Sequence, residues 1–142
     1  IISSFKEISK KNFIFNFDQY SNIKKITKSI EIVYGLRNFI GNANKFSKET
    51  IYITLKSNSE MTEITIEDDG NGYPRDVLSK IGEPYLRSKD PIEKSKTGLG
   101  LGLFIGKTLL EKNFASINCR NSKTRSGAEV IIKWSNKDLF NI

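Results

Sequence analysis

"TEITIEDDGNGYP", Thr62 to Pro74, carries an alternating run straight into two carboxylates and a glycine turn. Ile64 and Ile66 alternate with Thr65 and Glu67, the period-two pattern of a strand with one buried face. Extending that phase sends Asp68 toward the core with the isoleucines and Asp69 away from it. A buried polar group without a partner costs roughly 2–7 kcal/mol, and a charge costs more. Asp68 must therefore meet a donor: its own backbone turn, a lysine, or a ligand amine such as that of adenine. Gly70 and Gly72 permit positive φ and the close approach of a flat ligand, and they suit an ordinary turn equally well. Upstream, Ile51, Ile53 and Leu55 alternate with Tyr52, Thr54 and Lys56. With the polar "SNSE" turn between, the two runs predict a β-hairpin with one face buried.

Outward from this hairpin, Ile30, Val33, Leu36, Ile40 and Ala43 recur at three- and four-residue spacing and predict an amphipathic helix from about Thr27 to Phe46. At about 100° per residue, Asn38, Asn42 and Lys45 share one narrow arc on the opposite side. A solvated face would account for that arc. However, asparagine is a poor helix former, and Gly41 costs about 1 kcal/mol relative to alanine; a helix carrying both side by side is expected to be held by a ligand. Mg²⁺ takes oxygen ligands and bridges protein to substrate phosphates, so an asparagine carbonyl suits the ion and Lys45 suits a phosphate.

A second glycine cluster, "KTGLGLGLFIG" at Lys96 to Gly106, leads into a predicted helix from Leu101 to Lys112. Gly98, Gly100 and Gly102 leave backbone N–H groups at a helix start open to phosphate. The spacing is neither G-x-G-x-x-G after a strand nor G-x-x-x-x-G-K-[ST], which disfavours two familiar nucleotide folds. Between the clusters, Pro74 opens a short helix to about Lys80, and "GEPYLRSKDPIEKSKTG" reads as a long functional loop. Further strands are predicted at Phe13–Phe17, Ala115–Arg120 and Ala128–Trp134, the last two joined by "NSKTRSG". The order of elements gives an α/β (α+β) two-layer sandwich, a mixed sheet covered on one face by helices. Residues 12–142 form one domain; residues 1–11 read as a linker, the end of a helix entering from upstream.

With 142 residues the chain can bury a core without disulfides. It has no histidine, which excludes imidazole metal sites and Ser/His triads, and its single Cys119 cannot form an internal bridge. Cys119 lies in a predicted strand and reads as a buried filler. The net charge of +7 suggests an anionic partner. Nucleic acid is not expected, because no stripe of basic residues interleaved with aromatics is visible. No apolar run reaches the roughly 20 residues of a membrane helix, so the domain is expected to be cytoplasmic. The start at Ile1 suggests a piece of a longer protein.

Taken in order, the motifs resemble the ATP-binding catalytic domain of bacterial sensor histidine kinases, in the Bergerat-fold group of gyrase, chaperone, kinase and MutL ATPases. "LRNFIGNANKF" resembles the asparagine box, "EDDGNG" the D-x-G-x-G box, "GEPYLRSK" the phenylalanine-box region and "GLGLGLFI" the second glycine box. "GEPY" with "GLFIGKTLLE" looks most like redox-responding sensors of the RegB type. The resemblance implies ATP and Mg²⁺ as cofactors, with Asn42 on the metal, Lys45 on phosphate and Asp68 accepting from the adenine amine. Asn38 would stand beside them, with Gly70 and Gly72 at the base. Thr97, Gly98, Leu99, Gly100, Leu101 and Gly102 would frame the triphosphate under a mobile lid of about Tyr85 to Thr97 that includes Arg87. Hydrolysing relatives carry a glutamate four residues before the metal-binding asparagine; Asn38 at that place implies phosphoryl transfer to protein over hydrolysis. The acceptor histidine would lie in a dimerisation domain of the same protein, with a response regulator downstream. The isolated domain would be monomeric and the parent a homodimer, with an inner-membrane anchor among what the resemblance allows. The rival readings are a stand-alone serine kinase of the anti-sigma-factor type and a non-catalytic binding module.

Overall fold

The computed structural model describes residues 1–17, 29–83 and 101–141. In chain order the elements are α1 (Ile2–Ile8), β1 (Asn12–Phe17), α2 (Ile30–Phe46), β2 (Thr50–Ser57), β3 (Met61–Asp68), α3 (Arg75–Leu78), α4 (Gly102–Lys112), β4 (Ser116–Asn121), β5 (Ala128–Ser135) and α5 (Asn136–Leu139). The strands form one sheet in the order β1-β2-β3-β5-β4. β1 runs parallel to β2, a pairing that needs a crossover, which α2 supplies. The remaining pairs are antiparallel. Among the described residues no helix is long and apolar enough to cross a membrane.

The core lies between one face of the sheet and helices α2 and α4. Ile51, Ile66, Ile132 and Trp134 from the strands meet Phe39 and Leu110 from the helices, and all six are essentially fully buried. The opposite face is polar and paired across strands: Glu63 faces Lys133 in register and Arg120 faces Glu129, with ion pairs of 3.5 and 2.6 Å. One face is apolar and the other charged, so the helices pack on one side only, as the alternation in the sequence requires.

The inward face of α2 keeps Ile40, Ala43 and Leu36 of the expected stripe and departs from it at the N-terminal end. Ile30 is 77% exposed, whereas Ile32, Gly35, Phe39, Ile40 and Ala43 are buried. The stripe is rotated because α4 crosses α2 at two glycines. A Cβ on Gly35 would sit 2.7 Å from Leu110 Cγ, and one on Gly106 would sit 2.9 Å from Phe39 Cε2. Helices this close bury the side chains that flank the contact. Gly106, the last of the second glycine cluster, is thus a packing residue. Ser29 caps α2 by accepting from Ile32 N at 3.3 Å.

Residues 2–11 pack on this core. The Phe5 ring lies 6.1 Å from that of Phe13, with the Arg37 guanidinium 5.6 Å over its face. Gly41 lies beneath it, where a Cβ would be 3.8 Å from Phe5 Cζ. Ser9 Oγ donates to Asn44 Oδ1 at 2.5 Å, and Lys11 Nζ donates to the carbonyls of Ser47 and Lys48 just past α2. Gly41 therefore has Phe5 of α1 as a neighbour within the chain, at ordinary van der Waals distance.

Candidate functional site

The strand phase is borne out at the end of β3. Asp68 is 3% exposed, and its Oδ1 accepts from Gly70 N at 2.8 Å and from Ala128 N at 3.3 Å. Its own turn is thus one partner, and the start of β5 is another. Two glycines make that geometry possible. A Cβ on Gly70 would run into the Phe46 carbonyl at the end of α2, and one on Gly127 would run into the Asp68 backbone and carboxylate. Gly72 has φ 77°, a conformation that disfavours any side chain. Ser126 Oγ donates to Gly70 O at 3.4 Å.

Asp69 faces the other way and does different work. Its carboxylate accepts from Lys48 N at 2.8 Å, Glu49 N at 3.1 Å and Thr50 N at 3.1 Å, holding the connection from α2 into β2. Partial burial, the largest single influence, pushes this carboxyl up. The combined N–H donors of Glu49, Thr50 and Lys48 outweigh it and hold the group below the ordinary 3.8.

Beyond the turn, Tyr73 is buried with its hydroxyl on the Cys119 thiol. Burial raises the hydroxyl well above its usual range, with the charges of Cys119 and Asp68 adding to it. Cys119 is likewise pushed up to about 11 by desolvation, against the opposing effects of the Tyr73 hydrogen bond and Lys107. A thiol so placed is an unreactive filler. Gly82, at φ 96°, leaves no room for a side chain against Lys107.

The amide face of α2 looks toward the start of α4. Asn38 is half-buried; its Nδ2 donates to Tyr34 O at 2.8 Å, and its Oδ1 lies 3.8 Å from where a Gly102 Cβ would be. Asn42, one turn on, is half-buried and makes no side-chain hydrogen bond among the described residues. Lys45 is exposed, with Nζ 5.9 Å from the Phe46 ring centroid. Leu101 precedes α4 and accepts from Ile105 N at 2.8 Å, so the N–H groups of Gly102 to Phe104 have no partner within the helix. Of the sequence-derived site residues, Asn38, Asn42 and Lys45 lie on α2, Gly102 meets it at Asn38 and Gly70 at Phe46; Asp68 is tied to Gly70, Gly72 lies against Asn121, and Leu101 stands before α4. Tyr85, Arg87, Thr97, Gly98, Leu99 and Gly100, and with them the expected lid, lie outside the described residues. Sequence reasoning missed Asn121 and Gly127, because both sit in a stretch that reads as a plain turn and their partners are distant in the chain.

A mixed sheet backed by two helices, with an amide-bearing helix closing on a buried Asp–Gly turn, belongs to a known class. The chain is a member of the histidine kinase-, DNA gyrase B- and HSP90-like ATPase family, whose model matches residues 27–138. Within that family it is 38% identical over 124 residues to the sensor histidine kinase RegB of Cereibacter sphaeroides, covering 77% of this chain and 27% of that protein. It is 32% identical over 100 residues to the sensor protein SrrB of Staphylococcus aureus, covering 69% and 17%. The chain thus spans under a third of the length of these relatives. Among solved structures, the mycobacterial sensor histidine kinase MprB superposes with a TM-score of 0.76 at 21% identity, covering 94% of this chain and 89% of that one. The catalytic domain of histidine kinase ThkA gives 0.71 at 20% identity, covering 94% and 85%. At those identities the two structures establish the fold, and it is the one the motifs implied.

Proposed function

We propose that this domain binds ATP with Mg²⁺ and presents the γ-phosphate to a histidine on a separate domain of a sensor histidine kinase. The observation that carries this reading is the convergence on α2. The Asp68–Gly72 turn closes against Phe46 and the start of α4 against Asn38, with Asn42 between. Asn38 and Phe46 are eight residues apart, about 12 Å along the helix, a span suited to a nucleotide from base to phosphates.

In this reading Asp68 accepts from the exocyclic amine of adenine. Gly70 N and Ala128 N on its Oδ1 fix the orientation of this carboxylate at the end of β3. Gly70 and Gly72 let the base approach the backbone. Asn42 would hold Mg²⁺: its amide is not committed elsewhere among the described residues, and as a single neutral oxygen it fits an ion that completes its shell with water and phosphate oxygens. When bound, the ion would neutralise charge on the phosphates. Lys45 contacts phosphate beside Leu101 and Gly102; the other residues expected to frame it lie outside the described residues.

Asn38 carries no carboxylate and its amide is bonded to Tyr34 O. It cannot act as a base toward water, which favours transfer over hydrolysis; the chain's own contribution is placement and charge. Because the chain has no histidine, the acceptor lies on another domain. A homodimeric parent protein, inner-membrane anchoring and a downstream response regulator complete the proposal.

Calorimetric titration of Mg²⁺–ATP into wild type, Asp68→Asn and Asn42→Ala tests it. Asn at 68 keeps an acceptor for Gly70 N–H and loses the one for adenine, so ATP affinity should fall at least tenfold. Asn42→Ala should bind nucleotide with no response to Mg²⁺. A folded wild-type domain that binds no ATP would refute the kinase reading in favour of a non-catalytic module.

A further inference from the structure

A base-binding turn works only if its backbone keeps one path, and Gly72, with φ at 77°, is its least constrained point. Asn121, the last residue of β4, reaches 48 residues back in the chain to this point. Its Oδ1 accepts from Tyr73 N at 2.6 Å and its Nδ2 donates to Tyr73 O at 3.2 Å. One side-chain amide thus takes both backbone groups of Tyr73, as a neighbouring strand would. The same Oδ1 lies 2.8 Å from where a Gly72 Cβ would be. Across the hairpin, Asn121 pairs in register with Ala128, whose N–H donates to Asp68. The two members of one strand pair therefore hold the two ends of the turn.

We propose that Asn121 is a positioning residue for the base-binding turn, fixing Gly72 and Tyr73 so that Asp68 faces adenine at a set distance. The proposal rests on the reading of Asp68 as the adenine acceptor. Asn121 is itself exposed, and an exposed asparagine at the end of a strand ordinarily serves its own turn. Here the turn residues Thr124 and Arg125 are served by Ser122 Oγ, and Asn121 is directed at Tyr73. The Tyr73 ring is fixed separately by burial and Cys119. Loss of Asn121 therefore frees the backbone of Gly72 and Tyr73 without opening the core.

The test compares wild type, Asn121→Ala and Asn121→Asp by ATP calorimetry and by amide hydrogen exchange of the nucleotide-free protein. In Asn121→Ala the Tyr73 amide should exchange faster while β3 amides are unchanged, and ATP affinity should fall about tenfold, the scale of two lost hydrogen bonds. Asn121→Asp keeps the acceptor for Tyr73 N–H but sets a carboxylate oxygen against Tyr73 O, so its loss should be intermediate. It decides the matter if the alanine variant does not fold. Unchanged ATP affinity and Tyr73 exchange in a variant, alongside a wild type that binds ATP and an Asp68→Asn that does not, would overturn this proposal alone. A wild type that binds no ATP would overturn it together with the functional reading.

Discussion

Two adjacent carboxylates at the end of β3 are held by different parts of the backbone, and their chemistry separates accordingly. Asp68 is enclosed by Gly70, Ala128 and Gly127, while Asp69 ties Lys48, Glu49 and Thr50 to the strand end. The alternation of Ile64 and Ile66 was enough to tell which carboxylate is buried, because side-chain phase in a strand is a local property. What Asp69 does was not legible, since its donors come from a connection about 20 residues upstream. Its folded pKa is depressed, so its stabilisation is present above the unfolded value and fades as pH falls through the folded one. Asp69→Asn should therefore destabilise the domain by about 1 kcal/mol at pH 7, the scale of a hydrogen bond at a partly exposed site. Urea midpoints from pH 7 to 3 should show the gap to wild type closing below about pH 4. A gap constant across that range would mean that the carboxylate charge is not what holds the connection.

At the scale of elements, α2 connects the whole site, and its glycines have opposite meanings. Gly35 faces Leu110, which is fully buried and cannot yield, so Gly35→Ala forces an overlap with Leu110 Cγ. Overpacking of about 1–3 kcal/mol should exceed the helical gain of about 1 kcal/mol. Gly41 meets Phe5 at ordinary van der Waals distance, so Gly41→Ala should keep that gain and raise the melting temperature by about 3 °C. Thermal melts of the two variants check both signs; a stabilised Gly35→Ala or a destabilised Gly41→Ala would contradict the packing described. The helix itself was plain in the sequence, and so was the arc of Asn38, Asn42 and Lys45. Its apolar face was legible in part: Ile40 and Ala43 are core and Leu36 packs on it, while Ile30 was counted inward and Ile32 and Phe39 were overlooked. The exact rotation is set by where α4 crosses, and nothing within α2 encodes that.

Across the whole molecule, β3 and β5 lie inside the sheet with partners on both sides, and β1 and β4 are its edges. Ile66 and Ile132, 1% and 0% exposed, mark the centre of the core. Native-state hydrogen exchange should find the slowest amides from Ile64 to Ile66 and from Val130 to Ile132, with β4 exchanging through smaller openings. Equal protection in β4 would indicate a stabilising partner along that edge. Local pattern alone sets the strands, the two long helices, the single buried face and the identity of the Asp–Gly turn. These depend on periodicity and on glycine's backbone freedom, both written within a few residues. The rotation of α2, the seat of Phe5 over Gly41, the Asp69 anchor and the grip of Asn121 on Tyr73 come from the assembled fold. Each of these joins groups far apart in the chain, and such pairings exist only once the strand order β1-β2-β3-β5-β4 has brought the segments together.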